Sequence, residues 1–220
     1  PQLSSAGSVL SRELPVAKKS APVAVAASGR QAAKSKATQD RIINAVIGLI
    51  REKGYVAASS TEIARRAGVT WGAVQHHFGG KEEILGEVLE RSHRKFQQSL
   101  GDARFSSGTP KARVAKYVDL AWEHYRGDEY MATMEILLAS RRHAGAVEDI
   151  SMSRSRAEHL ALGRRIFHDS AASNQRMQET IYIVHCMLTG ILIETVLEPA
   201  GFNVRVYTGH LKKIVMELLY

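Results

Sequence analysis

The stretch Gly68–Glu83 reads GVTWGAVQHHFGGKEE, and it decides how the rest of the chain is interpreted. Thr70 can cap the short helix that follows it, and a double glycine ends that helix. Val74 and Phe78 are its expected apolar contacts, so most of its other side chains are predicted to face outward. A short, capped helix with a polar outer face is predicted to contact a partner.

A second short helix is predicted directly before this stretch. Ser59 and Glu62 stand three residues apart, which is the spacing of a capping box, at the start of a helix over residues 60–67. Ile63 gives this helix a buried side, and Gly68 ends it. Two short helices joined by a tight turn form a helix-turn-helix, whose second helix normally enters the major groove of DNA.

Several residues of this helix pair are suited to DNA. Gly72 removes a side chain where a phosphate or a base edge comes close, and Gln75 can pair bidentately with adenine. Thr70 can bond either a base or a phosphate. The helices that begin at Ser60 and Lys81 present free N–H groups in their first turns, and such groups bind phosphate.

The positive charge of the chain is concentrated at its amino end. The formal net charge is +8, of which residues 1–37 carry +5, residues 38–80 carry +2 and the remaining 140 residues carry +1. This asymmetry favours a polyanionic partner, with a solubilising tail as the alternative. Residues 1–37 are rich in Ala, Ser, Pro and Lys and are predicted to be a disordered basic arm. Such an arm adds non-specific affinity for DNA, or, as a sharper alternative, enters the minor groove.

Apolar residues recur at helical spacing through the rest of the chain, without the alternation typical of strands. The predicted helices span about residues 38–53, 60–67, 71–78, 81–96, 110–125, 130–141, 146–168, 174–197 and 206–219. The predicted fold class is therefore all-α.

The cysteine content and the apolar runs bear on the compartment. Cys186 is the one cysteine, so no disulfide can form within the chain, which suits a reducing cytoplasm. The apolar run 22–27 is shorter than the h-region of a secretory signal, about 7–15 residues. The stretch Ile181–Val196 is broken by polar residues and falls short of the ~20 apolar residues of a membrane span. We expect a cytoplasmic, nucleoid-associated protein without a membrane partner.

No motif predicts catalysis or a metal centre. The sequence lacks a nucleophile elbow, a phosphate loop, an HExxH motif and a carboxylate pair at catalytic spacing. His76 and His77 are adjacent on a helix, so their side chains point about 100° apart and cannot easily share an ion. The protein is therefore expected not to be an enzyme, and to hold no metal and no cofactor.

The residue types and spacing over about residues 38–85 resemble the DNA-binding signature of the tetracycline-repressor-like (TetR) family. The matching residues are Gly54, Tyr55, Ser59 and the run from Ile63 to Glu82. The resemblance implies a homodimer with two such heads, a carboxy-terminal domain that senses a small molecule, and release of DNA when that effector binds. The DNA-contacting residues that it implies are Ser59, Thr61, Thr70, Trp71, Gly72, Gln75, His76, His77 and Lys81.

Two positions depart from the family pattern. Gln75 stands where the family usually has a tyrosine that often contacts a phosphate, and Ser60 stands where an apolar residue is usual. The role of Gln75 therefore remains open between base reading and backbone contact.

The resemblance divides the chain into a basic arm (1–37), a helix-turn-helix head (38–82) and a helical ligand-sensing and dimerisation domain (83–220). The apolar helix ending at Leu197 and the last helix are predicted to form a four-helix interface between two copies; the alternative is packing within one subunit. Candidates for the ligand pocket are Tyr117, Trp122, Tyr125, Met131, Met134, Met177, Tyr182, His185 and Cys186. Met and aromatic residues at this spacing also fit a plain core, and the set favours an apolar or aromatic ligand.

The predicted function is that of a ligand-responsive transcriptional regulator, a repressor that binds a palindromic operator as a homodimer and is released by a small molecule. Two heads would read half-sites one helical turn apart, roughly 34–36 Å. A transcriptional activator and an architectural DNA-binding protein without an effector are the alternatives. The expected partners are double-stranded DNA, a second copy of the chain and the effector.

Overall fold

The computed structural model describes residues 23–101, 105, 108–140 and 146–220, and the side chains within these ranges except those of residues 23–28 and 146–155. Every regular element in these ranges is helical, which confirms the predicted all-α class. The elements are α1 Val23–Lys53, a 3₁₀ turn Tyr55–Ala57, α2 Ser60–Ala67, α3 Trp71–Phe78, α4 Lys81–Leu100, α5 Pro110–Tyr125, α6 Asp128–Ser140, α7 Ala146–Ile166, α8 Asn174–Leu197 and α9 Val204–Leu219.

The chain divides into two compact units, residues 1–38 and residues 39–220. Within the first unit, the described part is helical from Val23 onward, which corrects the prediction of disorder for residues 23–37. Ala, Lys, Gln and Arg are strong helix formers, and extending an existing helix avoids the cost of a new nucleus. The rest of the predicted arm, residues 1–22, lies outside the described residues.

The amino-terminal part of the second unit, here called the head, consists of α1 from Gln39, α2, α3 and the first half of α4. Its buried cluster draws apolar side chains from all four helices. Fully buried members are Ile42, Val46, Leu49, Ile50, Ile63, Val74, Ile84 and Val88. Ala132 and Ile136 of α6 belong to the same cluster, so α6 packs against the head.

The turns of the head form as their residue types predict. The Ser59 hydroxyl accepts the N–H of Glu62 at 3.3 Å, and Gly68 ends α2 in the left-handed conformation, with φ 64°. The Glu62 carboxylate turns to Arg65 rather than back to Ser59, so one half of the capping box is present. Thr70 caps α3 through a 3.2 Å hydrogen bond to a first-turn N–H. These turns fix the angle between α2 and α3.

The remaining helices α5, α7, α8 and α9, here called the bundle, enclose the second buried cluster. Among its most deeply buried members are Val114, Val118, Ala121, Ile166, Phe167, Met177, Leu188, Leu211 and Val215. Gly163 lets α7 approach α8 closely, because a Cβ at this position would lie 3.0 Å from Ile181 Cδ1 and 3.2 Å from Met177 Sδ. Tyr130 of α6 also belongs to this cluster, so α6 contributes to both cores.

A buried arginine fastens the end of the chain to α5. Arg113 is 4% exposed and pairs with Asp169, and its guanidinium also donates to the Gly108 carbonyl at 2.5 Å. The Tyr220 hydroxyl donates to the other oxygen of Asp169 at 2.5 Å. Hydrogen bonds from Tyr220 and Arg113 lower the pKa of Asp169. The last residue of the chain is therefore part of the bundle.

α8 has the length and composition of a membrane span, with a mean hydropathy of 1.8 over its most apolar window. The expectation that residues 181–196 fall short of a membrane span is corrected for the helix as a whole, because its 24 residues are long and apolar enough by length and composition. One side of α8 packs Met177, Val184 and Leu188 into the bundle. Its other side is open, since Val196 is 59% exposed and Leu197 is 69% exposed.

Candidate nucleic-acid interface and ligand site

α3 is held to the head by one side and is open to solvent on the other. Val74 is fully buried, and Phe78 packs against the same core. Gly72, Gln75 and His76 are exposed. No side chain covers Gly72, whose nearest heavy atom, Thr70 Oγ1, would lie 3.9 Å from an added Cβ. The predicted polar face of α3 is therefore accessible to a macromolecule.

The two residues that open α3 combine a structural position with access to solvent. Thr70 is exposed although its oxygen caps α3, so the hydroxyl proton remains available to an acceptor. Trp71 is half-buried against the core of the head. The indole thus covers the turn and also leaves part of its surface accessible. It can therefore both stabilise the turn and contact a partner.

His76 and His77 differ in exposure. The two rings lie edge-to-face with centroids 5.5 Å apart, and His76 is exposed whereas His77 is half-buried. Within the described ranges, no three His, Cys, Asp or Glu side chains are placed to hold a metal ion. Both rings are at the end of α3, where they can donate to an anionic group.

The start of α2 exposes two of the predicted contacts, Ser59 and Thr61. The two arginines further along α2 are engaged in ion pairs: Arg65 with Glu62 at 2.8 Å, and Arg66 with Glu52 at 2.5 Å. The hydrogen bond from Arg66 lowers the pKa of Glu52. Both guanidinium groups therefore contact carboxylates of the chain itself, and these contacts do not indicate binding to DNA.

Lys81, the predicted phosphate contact at the start of α4, is half-buried against an aromatic ring. Its Nζ lies 4.9 Å from the centroid of Tyr55 in a cation–π arrangement. The backbone N–H of Tyr55 donates to Glu135 Oε2 of α6 at 2.8 Å. These contacts connect α6 to the start of α4. Sequence reasoning missed Glu135, because it lies 80 residues from Tyr55 and no local pattern links the two.

The first turn of α4 carries a carboxylate of its own. Gly80 caps α4 without a side chain, and a Cβ at Gly80 would lie 2.9 Å from Glu83 Oε2. The Glu83 carboxylate therefore lies beside the helix terminus that was predicted to bind a phosphate. A phosphate that binds here would lie close to this carboxylate, whose negative charge opposes it at the same helix terminus.

The structure places the nine candidate pocket residues in different surroundings. Tyr117 and Met177 are buried in the bundle core, while Trp122, Met131 and Met134 pack around its edge. Tyr182, His185 and Cys186 are exposed on α8. The structure does bring Tyr125 and His185 together, since the Tyr125 hydroxyl and His185 Nδ1 are 2.8 Å apart.

An open cleft of about 520 Å³ lies between α4 and α5 and involves none of those nine residues. Its lining residues are Lys95, Gln98, Ser99, Leu120, Glu123 and His124. Sequence reasoning missed this cleft because its residues come from two helices whose register depends on tertiary packing. The signal that was available is the pair of histidines, His93 and His124, in otherwise amphipathic helices.

Histidine and aromatic rings form a continuous group beside the cleft. Phe96 lies 4.9 Å from His124 and 5.6 Å from His159, between ring centroids. The rings of Tyr125 and Tyr130 are tilted by 32° with their centroids 4.2 Å apart. Burial lowers the pKa of His124 and of His159 to about 4, and it raises that of Tyr125. These imidazoles are therefore neutral near pH 7.

The comparisons with known proteins agree with this geometry. The family described as bacterial regulatory proteins, tetR family, matches residues 42–88. The regulator CymR of Pseudomonas putida is 25% identical over 170 residues, which cover 75% of this chain and 82% of CymR. The repressor BepR of Brucella suis biovar 1 is 25% identical over 201 residues, 86% of this chain and 95% of BepR.

A solved SmeT–triclosan complex has the same fold, with a TM-score of 0.58 at 22% identity, covering 82% of this chain and 90% of the SmeT chain. The matched residues 42–88 are those that build the exposed α3 and its supporting core. Residues 42–88 thus match the DNA-binding domain of the tetR family of bacterial regulatory proteins, and the chain is similar over most of its length to HTH-type transcriptional regulators.

Proposed function

We propose that the protein is an effector-responsive repressor that binds a palindromic operator as a homodimer and acts in the cytoplasm. The observation that carries this proposal is the presence of two open surfaces of different character: the polar face of α3 and an apolar side of α8 and α9. The first fits the major groove of DNA. The second fits another copy of the chain.

The apolar side of α8 and α9 supports the homodimer. Its exposed apolar members, with the exposed fraction of each, are Tyr182 (43%), Ile193 (50%), Val196 (59%), Leu197 (69%), Val206 (48%) and Tyr207 (43%). Monomeric proteins rarely expose contiguous apolar patches larger than a few hundred Å². A Cβ added at Gly190 or Gly209 would have no atom within 4 Å, so a second copy of the chain can come close to the backbones of α8 and α9 there. Two copies of this helix pair would form a four-helix interface.

Within this proposal, the nine predicted residues of the head meet DNA with distinct roles. Gly72, Gln75 and His76 face the base edges and the adjacent phosphates, because they share the open side of α3. The polar residues at the starts of α2 and α4 position the head on the backbone. A dimer presents two such surfaces, which favours a palindromic site with half-sites roughly 34–36 Å apart.

Release by an effector is supported by the double membership of α6. Tyr130 belongs to the bundle core, whereas Ala132 and Ile136 belong to the core of the head. A displacement of α6 in the bundle therefore acts on the head directly, and Glu135 extends the contact to Tyr55. BepR is named as a repressor, and SmeT has been solved with triclosan, both of which favour the same mode of action.

The test combines oligomeric state with operator binding. The double variant Val196→Asp/Leu197→Asp is expected to sediment as a monomer and to lose cooperative operator binding, because two carboxylates would be buried at the interface. Leu138→Asp is the control, since Leu138 is 55% exposed and belongs to α6, which contributes no residue to that surface. A wild-type chain that sediments as a monomer with and without DNA would contradict the homodimer.

Transcription in vitro then separates a repressor from an activator. With the operator selected from a random DNA pool and placed across a promoter, added protein is expected to reduce transcript. An increase in transcript would contradict repression. Weak sequence preference in the selection would instead indicate an architectural DNA-binding protein.

A further inference from the structure

We propose that the effector is an uncharged aromatic molecule with a hydrogen-bonding group, bound in the cleft between α4 and α5 with His124 as its polar contact. This inference rests on the proposed effector response and names the chemical class of that effector.

The cleft has the size of a site for a small organic molecule. Its volume is about 520 Å³, and ligand pockets typically measure about 300–1,000 Å³. Leu120 and the hydrocarbon parts of Lys95 and Gln98 supply apolar surface, while His124 and Ser99 supply polar atoms. One or two aromatic rings would fit a space of this size and composition.

The charged side chains that line the cleft are already neutralised. Lys95 Nζ lies 2.5 Å from Glu129 Oε1, and Glu123 pairs with Arg126 at 2.5 Å. A carboxylate or an ammonium in the cleft would gain a protein counter-charge only by displacing a partner from one of these pairs. The arrangement therefore favours a ligand without a net charge.

The His124 ring can recognise a neutral polar group. Among the described residues it makes ring contacts and no hydrogen bond, and burial keeps the pKa of this imidazole at about 4. Its neutral form has one donor and one acceptor nitrogen, which suits a hydroxyl or a carbonyl. Glu129 opposes the lowering of the pKa, and Lys95 and His93 favour it, but burial is the largest cause.

Aromatic rings surround His124 and favour an aromatic ligand. The centroids of Phe96, Tyr130 and Tyr125 lie 4.9 Å, 5.6 Å and 5.9 Å from that of His124. A planar ligand can replace or extend these contacts in edge-to-face geometry. His159, whose ring also contacts Phe96, has a buried Nε2 without a partner among the described residues.

The position of the cleft connects the ligand to regulation. Lys95 belongs to α4 and its partner Glu129 to α6, so the ion pair at the cleft joins the two helices. Tyr130, the neighbour of Glu129, contacts the ring of His124. A ligand on His124 therefore acts on α6, which also packs against the head.

The experiment measures binding of paired probes to the full chain by isothermal titration calorimetry at pH 7.5. The pairs are methyl 4-hydroxybenzoate with 4-hydroxybenzoate, and vanillin with vanillate; methyl 4-hydroxycyclohexanecarboxylate is the non-aromatic control. We expect at least one neutral aromatic probe to bind at least tenfold more tightly than its anion and than the non-aromatic ester. Equal or tighter binding of the anions, or no binding of either neutral probe, would overturn the inference.

Two variants locate the site. His124→Leu is expected to weaken binding of the neutral probe at least tenfold, whereas His168→Leu, at an exposed position beyond α7, is expected to leave it unchanged. Equal effects of the two substitutions would overturn the role of His124. Circular dichroism and operator binding of both variants verify that each is folded.

Operator binding on the same samples separates this inference from the proposed function. If the chain binds its operator and a charged compound releases it, the effector class is wrong while the effector-responsive regulator stands. If the chain binds no operator in any state, the proposed function itself fails.

Discussion

The head and the bundle use polar residues in opposite ways. In the head, Thr70, Gln75 and His76 lie on the surface, and the hydrogen bond of Thr70 closes a local helix cap. In the bundle, Arg113 is buried and His124 is largely enclosed by aromatic rings. The head thus presents a fixed polar surface to a large partner, whereas the bundle keeps polar atoms inside, where a small molecule can reach them.

The difference has a thermodynamic consequence. An exposed polar group exchanges water for a partner at little cost, so the head can bind and release DNA without reorganising its core. A buried group changes its protonation state or its hydrogen bonds only if the surroundings change with it. We therefore infer that the bundle is the part of the molecule whose state responds to ligand and pH.

Acid is expected to separate the two regions most strongly. The pKa values of His124 and His159 are about 4 in the folded chain, below the usual 6.5. The unfolded chain takes up the protons first, so stability is complete above pH 6.5 and falls as the pH approaches 4. The loss is about 3 kcal/mol for each ring, at about 1.4 kcal/mol per pKa unit.

Two tryptophans report on this acid effect separately. Trp122 lies in the bundle and Trp71 in the head, so Trp71→Phe and Trp122→Phe each leave one fluorescent probe. Urea unfolding followed through Trp122 is expected to show a lower free energy of unfolding at pH 4.5 than at pH 7.5. His124→Leu is expected to reduce this difference. A free energy of unfolding that does not change between these pH values would contradict neutral, buried histidines in the bundle.

Close packing within the bundle gives the next largest effect. Gly163→Val is expected to destabilise the chain by about 1–3 kcal/mol, because its side chain would press against Ile181 Cδ1 and Met177 Sδ, which pack between α7 and α8. Gly86→Ala is the control, since Gly86 lies in α4 with open space around it and alanine is the better helix former. Chemical denaturation measures both. Equal tolerance of the two changes would show that α7 and α8 are further apart than the structure places them.

In the head, substitutions are expected to change DNA binding rather than stability. Gln75→Ala should cost ~1–3 kcal/mol at one base position if the contact is bidentate. Lys81→Ala should weaken binding to all sequences alike and reduce the salt slope by about one unit. Fluorescence anisotropy with operator variants at several salt concentrations distinguishes the two. An equal loss on every sequence for Gln75→Ala would assign that residue to the phosphate backbone.

The smallest predicted effect concerns the carboxylate at the start of α4. Glu83→Gln is expected to strengthen binding to all DNA sequences by about 0.3–1 kcal/mol, because the Glu83 charge no longer opposes a phosphate at the same helix terminus. Glu90→Gln, an exposed neutralisation elsewhere on α4, controls for the change in net charge. If the two variants gained affinity equally, Glu83 would have no special position.

The head could be predicted from the sequence because its signals are local. Ser59, Gly68 and Thr70 each determine a cap or a turn within a few residues, and they place α2 and α3 within the predicted bounds. The helices of the bundle could also be predicted from apolar spacing, with ends that differ by about two residues. Their neighbours could not be, since the contact of Tyr55 with Glu135 spans 80 residues.

Two features of the molecule depend on information that local patterns lack. The start of α1 at Val23 lies within a Pro- and Ser-containing segment whose composition indicated disorder, and composition does not register the continuation of an existing helix. The histidines beside the cleft come from α4, α5 and α7. Their proximity arises from helix packing, which the spacing within each helix does not specify.

Insertion of α3 into the major groove is tested most directly by attaching an iron–EDTA group to α3 and mapping where it cuts operator DNA. The attachment uses His76→Cys in a Cys186→Ser background, because Cys186 is the single natural cysteine. Two symmetrical cleavage sites are expected in the major groove, roughly 34–36 Å apart on one face of the duplex. A single site, or diffuse cleavage on all faces, would contradict the insertion of α3 from two copies of the chain.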